Sequence, residues 1–112
     1  MVDYSYTLVL ITTSDDEEAR LIADMLLGQR KIACANIVSG LTSLFWWRDK
    51  VDRETESLLM VKTRSDCLER LVELVKEVHS YENPEIISLP IVGGSADYLE
   101  WIDRSIDLEV EE

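Results

Sequence analysis

One eight-residue stretch, His79-Ser-Tyr-Glu-Asn-Pro-Glu-Ile86, holds the chain's single His together with an aromatic ring and two carboxylates. Imidazole nitrogen and carboxylate oxygen are both ligands for divalent cations, so His79, Glu82 and Glu85 form a candidate metal set. Cys34, set between Ala33 and Ala35, is the best-placed soft donor to join them. Each residue also has a plainer use. His79 can pack or cap a helix end, where the dipole favours a protonated imidazole. Glu82 and Glu85 suit a solvated turn, and the small neighbours of Cys34 suit a packed structural thiol. A closed zinc site takes four ligands, whereas Cys34, Cys67 and His79 are widely spaced. A tight site must therefore recruit carboxylates or combine subunits. Cys67 follows Ser65-Asp66 at a helix start, where amides lower a thiol's pKa while the adjacent acid opposes them, and it reads as incidental.

Other chemistry is sparse. Lys62-Thr63-Arg64 offers cations to a carboxylate or phosphate, or simply pairs with nearby acids. Gly93-Gly-Ser95 at a helix start lacks the Lys and the spacing of a phosphate loop. With one His and no nucleophile beside it, no catalytic triad is readable, and the chain reads as a non-enzyme.

The elements that position these groups follow from periodicity. Tyr6 to Ile11 is a buried-strand run. Ser14-Asp-Asp-Glu17 supplies a capping box to a helix whose apolar positions, Ala19, Ile22, Ala23, Leu26 and Leu27, repeat at helical spacing up to about Arg30. Ile32 to Trp47 reads as one long strand with a bulge near Ser39-Gly40, and Val51 to Thr63 as its return. Ser65-Asp66 caps a second helix with Leu68, Leu71, Val72, Val75 and Val78 inward. Pro84 forbids helix and pushes Asn83 towards extended backbone, so the His79 turn is stiff and abuts a strand from Ile86 to Val92. A last helix carries Tyr98, Leu99, Trp101, Ile102 and Ile106 towards the core, and Asp107 to Glu112 is expected to fray.

This order predicts one domain over residues 1–112: an α+β, ferredoxin-like βαββαβ sandwich with a C-terminal helix. The hairpin between the second and third strands is too long for it. About fifteen residues reach roughly 50 Å, against a radius of gyration near ~13 Å for a chain of this length. A projecting hairpin tipped by Phe45, Trp46 and Trp47 exposes apolar surface and strand edges, which predicts a homo-oligomer.

Charge narrows the partners. Asp and Glu number 23 against 11 Lys and Arg, a net charge of −12. Such a surface repels nucleic acid and anionic membranes and draws cations, at least diffusely. No signal-peptide pattern or membrane-length apolar run is present, so a cytoplasmic protein with reduced thiols is expected.

Taken in order, Ala33-Cys-Ala-Asn-Ile37, Ser43-Leu-Phe-Trp-Trp47 with Lys50, Leu59-Met-Val-Lys-Thr63, the His79–Ile86 stretch, Leu89-Pro-Ile-Val92 and Tyr98-Leu-Glu-Trp101 resemble the CutA family of divalent-cation-tolerance proteins. The likeness runs from Thr7 to Ile106. It implies a very stable trimer with strands pairing between subunits, an architecture like that of the PII signalling proteins, and a role in tolerance to copper and other divalent cations. No cofactor is required; Cu2+ or another divalent cation is the implied ligand, with Cys34 as its soft donor. The resemblance also singles out Tyr81 and Glu85, expected with Trp47 and Lys62 in a cleft between subunits. Rival readings are a PII-like sensor of a small anion and an assembly scaffold. Ser80 stands where Pro is common, Asp49 where Gly is common at the hairpin tip, and Gly93 where an acid is frequent.

Overall fold

The computed structural model describes residues 4–110. Its elements are β1 (Tyr6–Thr13), α1 (Asp16–Gly28), β2 (Cys34–Trp47), β3 (Lys50–Arg64), a single 3-10 turn (Ser65–Cys67), α2 (Leu68–Val78), β4 (Ile86–Pro90) and α3 (Ala96–Ser105). The strands form one antiparallel sheet in the order β2-β3-β1-β4, the ferredoxin-like arrangement read from the sequence.

Alternation along the strands divides the sheet into two unlike faces. Val9, Ile11, Leu59 and Val61 point into the main core against Ala19, Ile22, Ala23 and Leu26 of α1 and Leu71, Leu74 and Val75 of α2. A smaller cluster joins Ala33, Cys67, Ile102 and Ile106, seating α3 beside the end of β3. The opposite face has no helical cover beyond Tyr98 of α3 at the Cys34–Lys62 corner. Strand register places Leu8, Lys62, Cys34 and Leu89 in one row and Leu10, Met60, Asn36 and Ile87 in the next. Most of these are aliphatic, and Val38, Ile87 and Leu89 are exposed.

The hairpin behaves as its length requires. Gly40 (φ 71°) sits where the register slips between Val38 and Leu41, the expected bulge. Beyond it the two arms stay paired to Trp47 and Lys50. Arg48 and Asp49 close the tip with φ of 51° and 66°, the positive values that two-residue hairpin turns require and glycine adopts most readily. The radius of gyration, 14.6 Å, exceeds the ~13 Å of a compact chain of this length. Trp46 at the tip is 75% exposed.

Several local expectations shift. Asp15, not Ser14, is the N-cap of α1: its side chain accepts from the Glu18 amide, while Glu18 Oε1 reaches back to the Ser14 amide at 2.9 Å. The box is displaced by one residue because Ser14 and Asp15 are both capping types. Neither Ser65 nor Asp66 caps α2; Asp66 pairs with Arg64 at 2.6 Å. In α2, Leu74 is buried while Val78, at the frayed end of the stripe, is exposed. Tyr98 and Trp101 are also exposed, because α3 buries its Leu99–Ile102–Ile106 side, while Tyr98 reaches the sheet only at its edge, beside Cys34 and Lys62. Strand β4 ends at Pro90, two residues early, and Pro is tolerated there because β4 is an edge strand.

The tail from Asp107 to Val110 is tied down. Asp107 N–H donates to Arg30 O at 2.9 Å, and the Nζ of fully buried Lys31 donates to Gln29 O at 3.1 Å, Asp107 O at 3.0 Å and Val110 O. Carbonyls thus solvate a buried ammonium that the sequence marks only as one more basic residue. The expected fraying of Glu111 and Glu112 lies outside the described residues.

Candidate functional site

The His79 turn is held by three elements. Helix α2 stops at Val78, and His79 takes extended backbone while its N–H still donates to Val75 O. Its side chain is 0% exposed. Tyr81 N–H donates to Nδ1 at 3.0 Å, so that nitrogen carries the lone pair and the proton sits on Nε2, which donates to Thr12 O at 2.8 Å. The imidazole bridges β1 and the turn with both nitrogens engaged, and a metal would have to displace one of these bonds.

Tyr81 extends the arrangement. Its ring centroid lies 4.8 Å from that of His79, and its hydroxyl donates to Glu56 Oε2 at 2.6 Å. Burial and then the Glu56 carboxylate push the Tyr81 hydroxyl well above its ordinary value, so it remains a donor. Glu56 is only 6% exposed. From α1, Glu18 Oε1 also accepts from Ser14 Oγ at 3.0 Å, and Oε2 accepts from Ser80 N–H at 2.8 Å. Burial works against its charge, but these donors prevail and hold Glu18 below the usual carboxylate range. Glu82 and Glu85 are exposed at the same turn.

A second cluster lies on the open face. Cys34 is half-buried, with Lys62 Nζ 3.7 Å and Tyr98 Oη 3.6 Å from its sulfur. Lys62 also reaches Asn36 Oδ1 at 3.4 Å and lies 5.8 Å from the Tyr98 ring centroid. An ammonium beside the sulfur suits an arriving anion better than a second cation. Cys67 is different: burial pushes its thiol up, contrary to the helix-start expectation, and its sulfur donates to Lys31 O at 3.4 Å.

Within a single chain the expected ligands stay apart. Cys34 stands opposite Lys62, while His79 binds Thr12, which stands opposite Leu58; four residues of β3 separate those rows, roughly 13 Å. Among the described residues no three His, Cys, Asp or Glu side chains gather as a metal-holding group. Trp47, under the Arg48 guanidinium at 5.6 Å, is twelve strand residues from Lys62, roughly 40 Å. Tyr81 and Glu85 lie on either side of Pro84 at the turn, which is tied to Glu56 in the middle of β3. Thr12, Glu18, Glu56, Asn36 and Tyr98 were not among the expected site residues. Glu56 had a signal: it lies two positions before Leu58, so strand alternation puts it on the same face as that residue, where a buried carboxylate needs a donor.

Residues 7–105 match the family model described as CutA1 divalent ion tolerance protein. The "Divalent-cation tolerance protein CutA" of Thermus thermophilus is 46% identical over 95 residues, 85% of this chain and 92% of that protein. The rice "Protein CutA 1, chloroplastic" is 42% identical over 98 residues, 88% of this chain, which spans 55% of that longer relative. Among solved structures, rice CutA1 superposes with a TM-score of 0.90 at 39% identity, covering 93% of this chain and 95% of the other. The Thermus thermophilus protein gives 0.89 at 43% identity, covering 91% and 99%. With its fold and its motifs in common with these proteins, the chain belongs to the CutA1 divalent ion tolerance family.

Proposed function

We propose that the protein acts in divalent-cation tolerance as a cytoplasmic homotrimer, without catalytic activity, and that its cation ligands are completed between subunits, with copper as the foremost cation. The observation that carries this reading is the uncovered aliphatic sheet face, flanked by the open edges of β2 and β4 and by the exposed hairpin tip. Surfaces of that kind are covered by partners, and a second and third copy of the chain are the simplest cover. Family membership supports the cation, and so does the net charge of −12.

Cys34, Glu82 and Glu85 are the donors free to turn towards a neighbour; His79 joins them only by giving up Thr12 or Tyr81. Trp47 meets Lys62, Tyr81 and Glu85 only from another subunit. The lone imidazole has both nitrogens engaged and is not poised as a general base for a nucleophile. Lys62 beside Cys34 favours one alternative for the open-face cluster, a small anionic metabolite bound as in PII-like sensors. Sedimentation equilibrium tests the assembly, with three chains of 12.9 kDa expected and a monomer at micromolar concentration refuting it. Calorimetric titration with Cu2+, Zn2+ and a panel of small anions separates the two ligand classes.

A further inference from the structure

The outer surface of the helical layer carries a groove that adjoins the His79 turn through Glu18 and lies away from the open sheet face. It runs between α1 and the end of α2, encloses about 430 Å3, and includes Asp15, Glu17, Glu18, Leu21, Met25 and Val78 in its walls. Glu17, Leu21 and Met25 follow at intervals of four and so share one face of α1. Leu21 is 65% exposed and Val78 53%. A lone exposed leucine is ordinary. Here the aliphatic side chains adjoin one another, with carboxylates at the N-terminal end of the groove and no Lys or Arg in its lining.

We propose that this groove docks a cationic, amphipathic segment of another protein. Its apolar side chain seats between Leu21, Met25 and Val78, and its Lys or Arg lies towards Asp15 and Glu17. Charge complementarity selects this occupant. The rim is acidic, Glu18 is held ionised, and the chain carries −12 overall. Anionic headgroups and nucleic acid are therefore repelled. The volume falls within the ~300–1,000 Å3 of ligand pockets, and in helix-in-groove recognition an amphipathic segment lays its apolar face into an apolar groove of this kind. Since α1 and α2 cover the sheet face opposite the aliphatic one, docking and self-assembly are separable.

The test is fluorescence anisotropy with the full chain and a labelled, short amphipathic Leu/Lys peptide at physiological salt, beside its Leu/Glu counterpart. Leu21→Asp discriminates because it adds a negative charge: diffuse attraction alone would tighten binding, whereas a lost apolar seat weakens it. The expected result is at least about tenfold weaker binding in Leu21→Asp, about 1.4 kcal/mol, and a loss in the same direction in Val78→Asp. Glu100→Lys, on α3 outside the groove, changes affinity little. No binding by the unaltered chain, unchanged or tighter binding by Leu21→Asp, or equal binding of the Leu/Glu peptide would each overturn the proposal. Mass in solution stays the same in every variant, so a failed trimer and a failed groove are told apart.

Discussion

Replacing Tyr81 by Phe removes one hydroxyl and leaves the Glu56 carboxylate, 6% exposed, without its 2.6 Å donor. A hydrogen bond to a charged acceptor contributes about 1.5–3 kcal/mol, and a buried acceptor left unpaired forfeits that contribution with little compensation from water. For a chain of this length the unfolding entropy converts the loss into a melting temperature roughly 6–12 °C lower. The ring of Phe keeps its place against His79, so packing changes little. Thermal or urea unfolding, at equal protomer concentration because self-association shifts the midpoint, measures the effect. A double-mutant cycle assigns it: on a Glu56→Gln background, where the acceptor is neutral, Tyr81→Phe costs only about 0.5–1.5 kcal/mol. Stability within about 0.5 kcal/mol of the parent, or strictly additive effects in the cycle, would refute the claim that this bond anchors the turn.

Acid stability follows from Glu18 and Asp16. Glu18 is held low by Ser14 and Ser80 against the effect of burial, and Asp16 is held low by the Ser39 and then the Ser57 hydroxyls. Depressed carboxylates contribute stability that is present above their unfolded values, about 4, and is lost as pH falls through the folded ones. The urea midpoint is therefore expected to be flat from pH 7 to about 5 and to fall below about 4, with a shallower fall in Glu18→Gln; an unchanged slope in that variant contradicts the assignment. Asp49→Gly relieves a positive φ at the hairpin tip and is expected to stabilise by about 0.5–1 kcal/mol, read from the same unfolding curves; no gain would mean that Asp49 is unstrained there. Thiol titration of the native protein should modify Cys34 well before Cys67, whose thiol is buried and raised; equal rates would refute the difference in environment.

The fold was legible in the sequence because its signals are redundant. Apolar alternation, two amphipathic helices and a glycine at a bulge all point to one sheet order, and each survives an error of one residue in a cap. The hairpin was legible through its length. Side-chain pairing was less so. His79 carries the same sequence signal whether it binds a metal or Thr12 O, since its partner is a backbone carbonyl sixty-seven residues away. Tyr81 stood out as an aromatic on a stiff turn, but its partner Glu56 depends on which register β3 adopts. The exposure of Tyr98 and Trp101 had no signal either: a short helix with apolar residues on two sides does not reveal which side the sheet takes. Lys31 shows the same limit, because its buried ammonium is met by backbone oxygens of Gln29, Asp107 and Val110, which no residue type encodes.

The central claim is that cation binding belongs to the assembled protein. Its most direct test is calorimetric titration of Cu2+ into the unaltered chain and into Met60→Asp, which puts a charge in the middle of the open aliphatic face and should leave a folded monomer. Saturable copper binding by the unaltered chain is expected, lost in Met60→Asp and weakened more by Cys34→Ser than by Cys67→Ser. Equal copper affinity in the trimer and the monomer, or no saturable binding by the trimer, would contradict it.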